Sequence, residues 1–250
     1  MSETAFKDLF SENTENYKAF RPQYPEALFK WLGENCLDTE LAWDCGTGNG
    51  QAAVHLAKYF KTVIATDPSS EQLKQASVLP NITYRCETSE HSTLEDASAD
   101  LVCIAQALHW FNFEKFYAEV RRVVKPGGLI CAIAYGLPET NAKILEHIRH
   151  LHNIILRDYW EQERQLVADL YLDIPFPFEK IDIPAFQVKK EMTKAELGGY
   201  LNTWSGLKKM IRITGQNPMP AFMLELEERW PADCDRVTFT WNLALLGGKV

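Results

Sequence analysis

The stretch DCGTGNG places Asp44, Gly46, Gly48 and Gly50 close together, and a second acid, Asp67, ends the run TVIATD (62–67). Glycines at alternate positions let a backbone turn sharply and approach a bound molecule, because no β-carbon intervenes. A carboxylate at the end of a strand can accept hydrogen bonds from both hydroxyls of a ribose. Loop and acid together describe a site for a ribose-bearing ligand. Further along, AQALHWF carries His109 and Trp110. An imidazole in such a place can act as a general base or orient a substrate; it can equally make a structural hydrogen bond beside the ligand. Trp110 and Phe111 offer apolar walls. YKAFRPQYP supplies Tyr17, Arg21 and Tyr24, and Arg21 can grip a carboxylate through two parallel hydrogen bonds. Tyr159, Trp160 and Trp204 are candidate wall aromatics for a partly apolar substrate.

Elements must bring these residues together. LAWDC (41–45), TVIATD (62–67), NITYRC (81–86), the start of ADLVCIAQAL (99–108) and LICAIAYG (129–136) read as five strands. Between them GQAAVHLAKYF (50–60) has apolar residues at helical spacing, with Ala53, Val54, Ala57 and Phe60 on one face. SSEQLKQAS opens with an N-capping serine. FEKFYAEVRRVV (113–124) is amphipathic and is stopped by KPGG. This alternation predicts an α/β fold, a doubly wound parallel sheet with helices on both faces and the ligand along the strand C-terminal edge. After Gly136 the pattern changes. Residues 141–172 read as helices, 173–184 as irregular, AFQVKKEMT as a strand, Thr193–Leu201 as a helix, then two more helices and a closing strand over 236–246. The expected organisation is one domain over 1–250. Within it, N-terminal helices lie in 1–36, and an inserted helical lid over 138–184 covers the ligand edge.

The chain has 250 residues and a net charge of −8. That balance disfavours nucleic acid as a partner. Arg121, Arg122 and Lys125 read as decoration of a helix C-terminus. No apolar run is long enough for a membrane span, and no apolar signal segment opens the chain, so a cytoplasmic protein is expected. The six cysteines form no Cys-x-x-Cys pair. Cys45, Cys103 and Cys131 fall in strands and read as small core residues. His147, His150 and His152 lack a matching acid or cysteine, so no metal is expected and these histidines are read as solvent-facing.

The ligand can be narrowed. The dinucleotide fingerprint is Gly-x-Gly-x-x-Gly, whereas this loop is Gly-x-Gly-x-Gly with an acid two positions ahead. A pyrophosphate wants helix N-terminal amides without a carboxylate beside them, so Asp44 counts against an NAD-dependent oxidoreductase. S-adenosylmethionine carries a sulfonium, an ammonium and a carboxylate but no phosphate, and suits an acidic, amide-rich loop. At this point the chain resembles the class I S-adenosylmethionine-dependent methyltransferases. More narrowly it resembles the small-molecule group that includes trans-aconitate methyltransferase-like proteins. DCGTGNG, ATDPSSEQLKQA, ETSEHSTLEDASADLVCIAQALHWF and FYAEVRRVVKPGGLICAI carry the resemblance, with YKAFRPQYPEAL and YLNTWSGLKKM near the two ends.

The resemblance implies a Rossmann-like, seven-stranded sheet whose last strand runs antiparallel. It implies that Gly46, Gly48 and Gly50 border the methionine part of the cofactor, and that Asp67, with Pro68, holds the ribose. Thr88 and Ser89 would lie by the adenine, although many relatives carry Asp where Thr88 stands. Ala105 and Gln106 would lie near the methyl group, and Tyr17 and Arg21 beside the cofactor. Tyr24, Trp110, Tyr159 and Trp204 would face a small-molecule methyl acceptor, and His109 is the catalytic candidate. A carboxylate oxygen is the expected acceptor atom. A cofactor-binding regulatory protein without catalysis would show the same binding residues.

Overall fold

In the computed structural model, residues 20–250 are described. The five apolar runs form β1 (Leu41–Cys45), β2 (Thr62–Thr66), β3 (Ile82–Arg85), β4 (Ala99–Ala105) and β5 (Val124–Ala134), all parallel to one another. β1 and β4 are buried along almost their whole length, as strands covered on both faces must be. On one face lie α1 (Glu26–Asn35) and α2 (Gln51–Leu56), with Leu28, Phe29, Leu32 and Leu56 in the core. On the other lies α4 (Phe113–Val123), which contributes Phe116, Val120 and Val123. The short α3 (Ser70–Leu73) starts at Ser69, whose hydroxyl accepts the Gln72 N–H.

The sheet order is β3-β2-β1-β4-β5, followed by β9 (Ala244–Lys249) and β6 (Glu179–Lys180). The direction of winding reverses between β1 and β4, which opens a crevice at their C-terminal ends. β9 runs antiparallel between β5 and the short β6. The closing strand expected over 236–246 is therefore two strands. β8 (Val237–Asn242) pairs with β7 (Gln187–Met192) in a separate two-stranded sheet, and the chain changes sheets at Leu243, whose N–H bonds to Phe186 O. β9 also continues through Gly247 and Gly248. A β-carbon on Gly247 would stand 2.5 Å from Ile183 Cδ1, and one on Gly248 2.8 Å from Glu179 O. The glycine pair admits the strand between two close neighbours instead of ending it.

Other elements refine the expectation. α2 is shorter than expected and buries Ala52, Ala53 and Leu56, while Val54 and Ala57 are only half-buried. Between β5 and β6 lie α5 (Ala142–His150), a π turn at Leu151–Ile155, a 3-10 turn at Arg157–Tyr159 and α6 (Arg164–Ala168). Then come α7 (Lys194–Leu201), opened by a Thr193/Glu196 capping box, α8 (Ser205–Thr214) and α9 (Met219–Arg229). Lys125 does not decorate a helix end: it lies in β5 and binds the buried Asp100 at 2.6 Å. Among the described residues no helix is long and apolar enough to cross a membrane.

Candidate functional site

The glycine loop sits over the C-terminal ends of β1 and β2. Gly46 and Thr47 both donate to Thr66 O at 2.9 Å. Gly46 is required by packing, since a β-carbon there would lie 2.5 Å from Ala107 Cβ; at Gly50 it would meet Tyr84 Oη at 2.5 Å. Gly48 is different. Its φ of +57° is left-handed, and nothing lies nearer than 3.8 Å to the place of its β-carbon. The space that a side chain would fill is the open side of the loop, where a ligand can approach.

Two acids flank this space. Asp67 accepts the Gly48 N–H and the Ser69 N–H, each at 2.9 Å, so it shapes the loop as well as facing the crevice. Asp44 is wholly buried. Thr47 Oγ1 donates to its Oδ2 at 2.5 Å, while Oδ1 has no partner among the described residues. Burial raises this carboxyl from 3.8 to about 7, against the bond from Thr47 and the nearby Ala53 backbone, and the charge of Asp67 adds to the rise. A buried acceptor left without a partner is costly, and a cationic ligand group would relieve it. Beside Asp67, Pro68 O accepts a weak bond from Cys86 Sγ at 3.5 Å. Thr88 is exposed and Ser89 buried.

Past β4, Ala105 is half-buried and Gln106 takes a left-handed φ of 57°. The Gln106 amide donates to Tyr135 O at 3.0 Å, and its Oε1 is buried without a partner among the described residues. Gln106 lines a cavity of about 760 Å³ together with Arg21, Arg149, Arg157, Arg164, Trp160 and Trp204. His152 stands between the two tryptophans, with ring centroids 4.6 Å from Trp160 and 5.5 Å from Trp204. Arg164 lies 5.3 Å from the Trp160 ring, and Arg21 lies 5.8 Å from Tyr200 and donates to Thr203 Oγ1 at 3.0 Å. Among the described residues the one acid of the wall, Glu161, is paired with Lys209 at 2.7 Å. Arg149 and Arg157 are exposed and have no ion pair or hydrogen bond among the described residues.

Several expected residues lie elsewhere. Tyr24 is buried behind the wall, edge-on to Tyr135 at 6.3 Å. Trp110 and Tyr159 are half-buried and do not line the cavity, and Phe111 packs on Phe116 and beneath Gly46. Tyr17 falls outside the described residues. His109 is buried and also off the cavity; its Nδ1 lies 3.1 Å from Tyr171 Oη and its Nε2 has no partner among the described residues. Burial, helped by the Arg164 charge, holds the imidazole well below its usual range, which makes it neutral and a poor base. The three histidines of 147–152 are not uniformly solvent-facing. His147 is buried, stacked 4.0 Å from Phe222, and bonded to Phe222 O at 3.0 Å. Arg149, Arg157, Arg164 and His152 were not legible as site residues; the one signal was the density of Arg, Trp and His across 149–164.

A reversed winding at β1 and β4, an acid-flanked glycine loop and an acid at the end of β2 define an α/β protein whose switch-point crevice is the place where such folds take their ligands. The chain belongs to the methyltransferase family. Residues 43–132 match the family model described as a methyltransferase domain. A Dictyostelium discoideum protein named as a methyltransferase is 36% identical over 221 residues, spanning 87% of this chain and 84% of that one. A Saccharomyces cerevisiae protein named as an S-adenosylmethionine-dependent methyltransferase is 31% identical over 133 residues, 50% of this chain and 46% of that one. The solved structure of a protein named as a type II methyltransferase from Anaeromyxobacter dehalogenans is 37% identical. It superposes with a TM-score of 0.85 over 92% of this chain and 98% of that one. S-adenosylmethionine is the cofactor general to the family. The open side of Gly48 and the partnerless Oδ1 of the buried Asp44 fit it, because it offers a close-approaching backbone-sized edge and an ammonium.

Proposed function

We propose that this chain methylates a small anionic acceptor, with a carboxylate oxygen receiving the methyl group. The placement beside trans-aconitate methyltransferase-like proteins is part of this proposal. S-adenosylmethionine, when bound, supplies an electrophilic methyl group on sulfur and leaves as a neutral thioether. The glycine loop, Asp44, Asp67 and Pro68 would hold it, with Thr88 and Ser89 at the adenine end and Ala105 and Gln106 at the other. The acceptor side is the work of the cavity. The observation that carries the reading is its charge: among the described residues the wall holds four arginines, two of which, Arg149 and Arg157, have no partner there, against one acid that is paired with Lys209. Planar guanidinium groups orient carboxylates through paired hydrogen bonds. Trp160, Trp204 and Tyr200 exclude water and cover apolar parts of the acceptor. A carboxylate is ionised at neutral pH, so no side chain has to take a proton, which agrees with the neutral, buried state of His109. Alignment and desolvation are then the whole task, worth on the order of 7–11 kcal/mol for well-oriented reactants.

The test is methyl transfer to matched panels of carboxylic acids, phenols and amines, for wild type and for Arg149→Gln/Arg157→Gln. Acids should be turned over. The double variant should raise their KM about tenfold or more, given ~1.5 kcal/mol or more for each charged hydrogen bond lost, and leave S-adenosylhomocysteine binding unchanged. Turnover of phenols or amines alone would overturn the carboxylate assignment. Binding of S-adenosylhomocysteine with no turnover on any panel would favour the regulatory reading.

A further inference from the structure

Four non-glycine residues have a left-handed backbone among the described residues, and three of them flank one junction: Gln106 (φ 57°), Leu170 (φ 53°) and Tyr171 (φ 63°). Residues with a β-carbon disfavour this conformation, so surrounding contacts must hold it. Leu170 and Tyr171 follow α6, whose Arg164, Val167 and Ala168 form part of the cavity wall. Tyr171 is buried in the same apolar cluster as Val167, Ile174 and Leu108. Its N–H bonds to Leu166 O at 2.8 Å, and its hydroxyl reaches His109 Nδ1 at 3.1 Å.

The segment that receives Tyr171 also touches the cofactor loop. Ala107 Cβ and the Phe111 ring occupy the place of a side chain on Gly46, 2.5 and 3.1 Å from where its β-carbon would be. Gln106 anchors the start of this segment through its N–H to Ile133 O and its amide to Tyr135 O. A continuous path therefore runs from α6 through Tyr171 to His109, along the backbone to Ala107, and on to Gly46. The proton positions follow. The buried imidazole is neutral and carries one hydrogen. Among the described residues the Tyr171 hydroxyl has His109 Nδ1 as its one hydrogen-bond partner, so donating to Nδ1 is what satisfies its hydrogen, whereas the reverse would leave both the hydroxyl hydrogen and Nε2 unsatisfied. The ring hydrogen then sits on Nε2, the buried nitrogen without a partner. Such a group calls for a reason.

We propose that Tyr171 is a positioning residue for methyl transfer. Its hydroxyl fixes His109 as the Nε2–H tautomer and couples the α6 wall of the cavity to the glycine loop, so that filling the cofactor site orders the wall. The coupling rests on the cofactor assignment above; the tautomer does not. The test uses the full chain and S-adenosylhomocysteine as probe. The imidazole ¹⁵N shifts of His109 should report Nε2–H in the wild type, and hydrogen exchange should show that the probe protects 106–111 and 164–172 together. Tyr171→Phe should bind the probe as tightly and protect the glycine loop, yet lose the probe-induced protection of 164–172 and the single tautomer. An Nδ1–H ring in the wild type overturns the proposal. So does equal protection of 164–172 in the variant, and so does loss of probe binding together with protection, which marks a purely structural role. Should Tyr171→Phe not fold, His109→Leu serves the same comparison. A wild type that binds no probe refutes the cofactor assignment, and the ring tautomer still decides the clasp.

Discussion

Replacing Asp44 by Asn should stabilise the unliganded protein and weaken it as a cofactor binder. Asp44 is wholly buried, with Oδ1 unpartnered and Oδ2 bound to Thr47. Because burial raises its folded value from 3.8 to about 7, the folded state holds a proton that the unfolded state has already released. The stabilisation linked to that proton is complete below about pH 4 and is lost as the pH rises to about 7. With those two values, burying the group costs the fold ~2 kcal/mol at about pH 5, where the folded carboxyl keeps the proton that the unfolded chain has released, and ~4 kcal/mol at about pH 8, where it is ionised in both states. Asparagine keeps the shape and an acceptor for Thr47 and has no charge to bury. Urea unfolding of both proteins should show the variant's advantage growing by about 2–3 kcal/mol between pH 5 and pH 8. Calorimetry at the higher pH should show S-adenosylhomocysteine binding weakened about tenfold or more, the worth of a charge-assisted hydrogen bond to its ammonium. A stability difference that stays flat with pH would refute the burial argument. Unchanged affinity would refute the pairing with the ammonium.

Gly48→Val puts a branched side chain at a left-handed φ and fills the open side of the loop; the melting temperature should fall, and S-adenosylhomocysteine, which stabilises the wild type by mass action, should no longer raise it. Lys125→Met leaves the buried Asp100 carboxylate with the Leu41 N–H at 2.9 Å as its remaining partner. Urea unfolding should show a loss of about 2 kcal/mol, discounted because Lys125 is partly exposed, and Asp100→Asn should restore part of it.

The central sheet and the glycine loop were legible because their signals are local. Apolar runs such as ADLVCIA must be buried on both faces, and the spacing from Asp44 to Asp67 is set within one β-loop-α-β unit. The cavity was not legible for the opposite reason. Arg149, Arg157 and Arg164 look like ordinary surface charges on helices. What turns them toward one space is a π turn at 151–155, closed by the Leu156 N–H to Leu151 O bond, whose wider ring shifts the helical face. Nothing in the residue types of that stretch announces such a turn. Tyr171 escaped for a similar reason. Its approach to His109 depends on left-handed backbone at Leu170 and Tyr171, which sequence signals only when glycine or asparagine is present. The split of 236–246 escaped because the apolar run continues across Leu243, where the chain changes sheets; the missing side chains of Gly247 and Gly248 are what lets β9 slip between β5 and β6.

That insertion has a cost in time. β5 pairs with β9 along six residues, Leu129–Ala134 against Ala244–Lys249, yet more than a hundred residues of chain separate the two. Until β9 has been synthesised, the apolar β5 presents an unpaired flank, and β6 has no strand to join. Such long-range pairing is slow and leaves strand edges exposed to other chains. During synthesis the half of the sheet that carries the cofactor loop can form early, while the half that closes the core waits, so nascent chains are most prone to aggregate along β5.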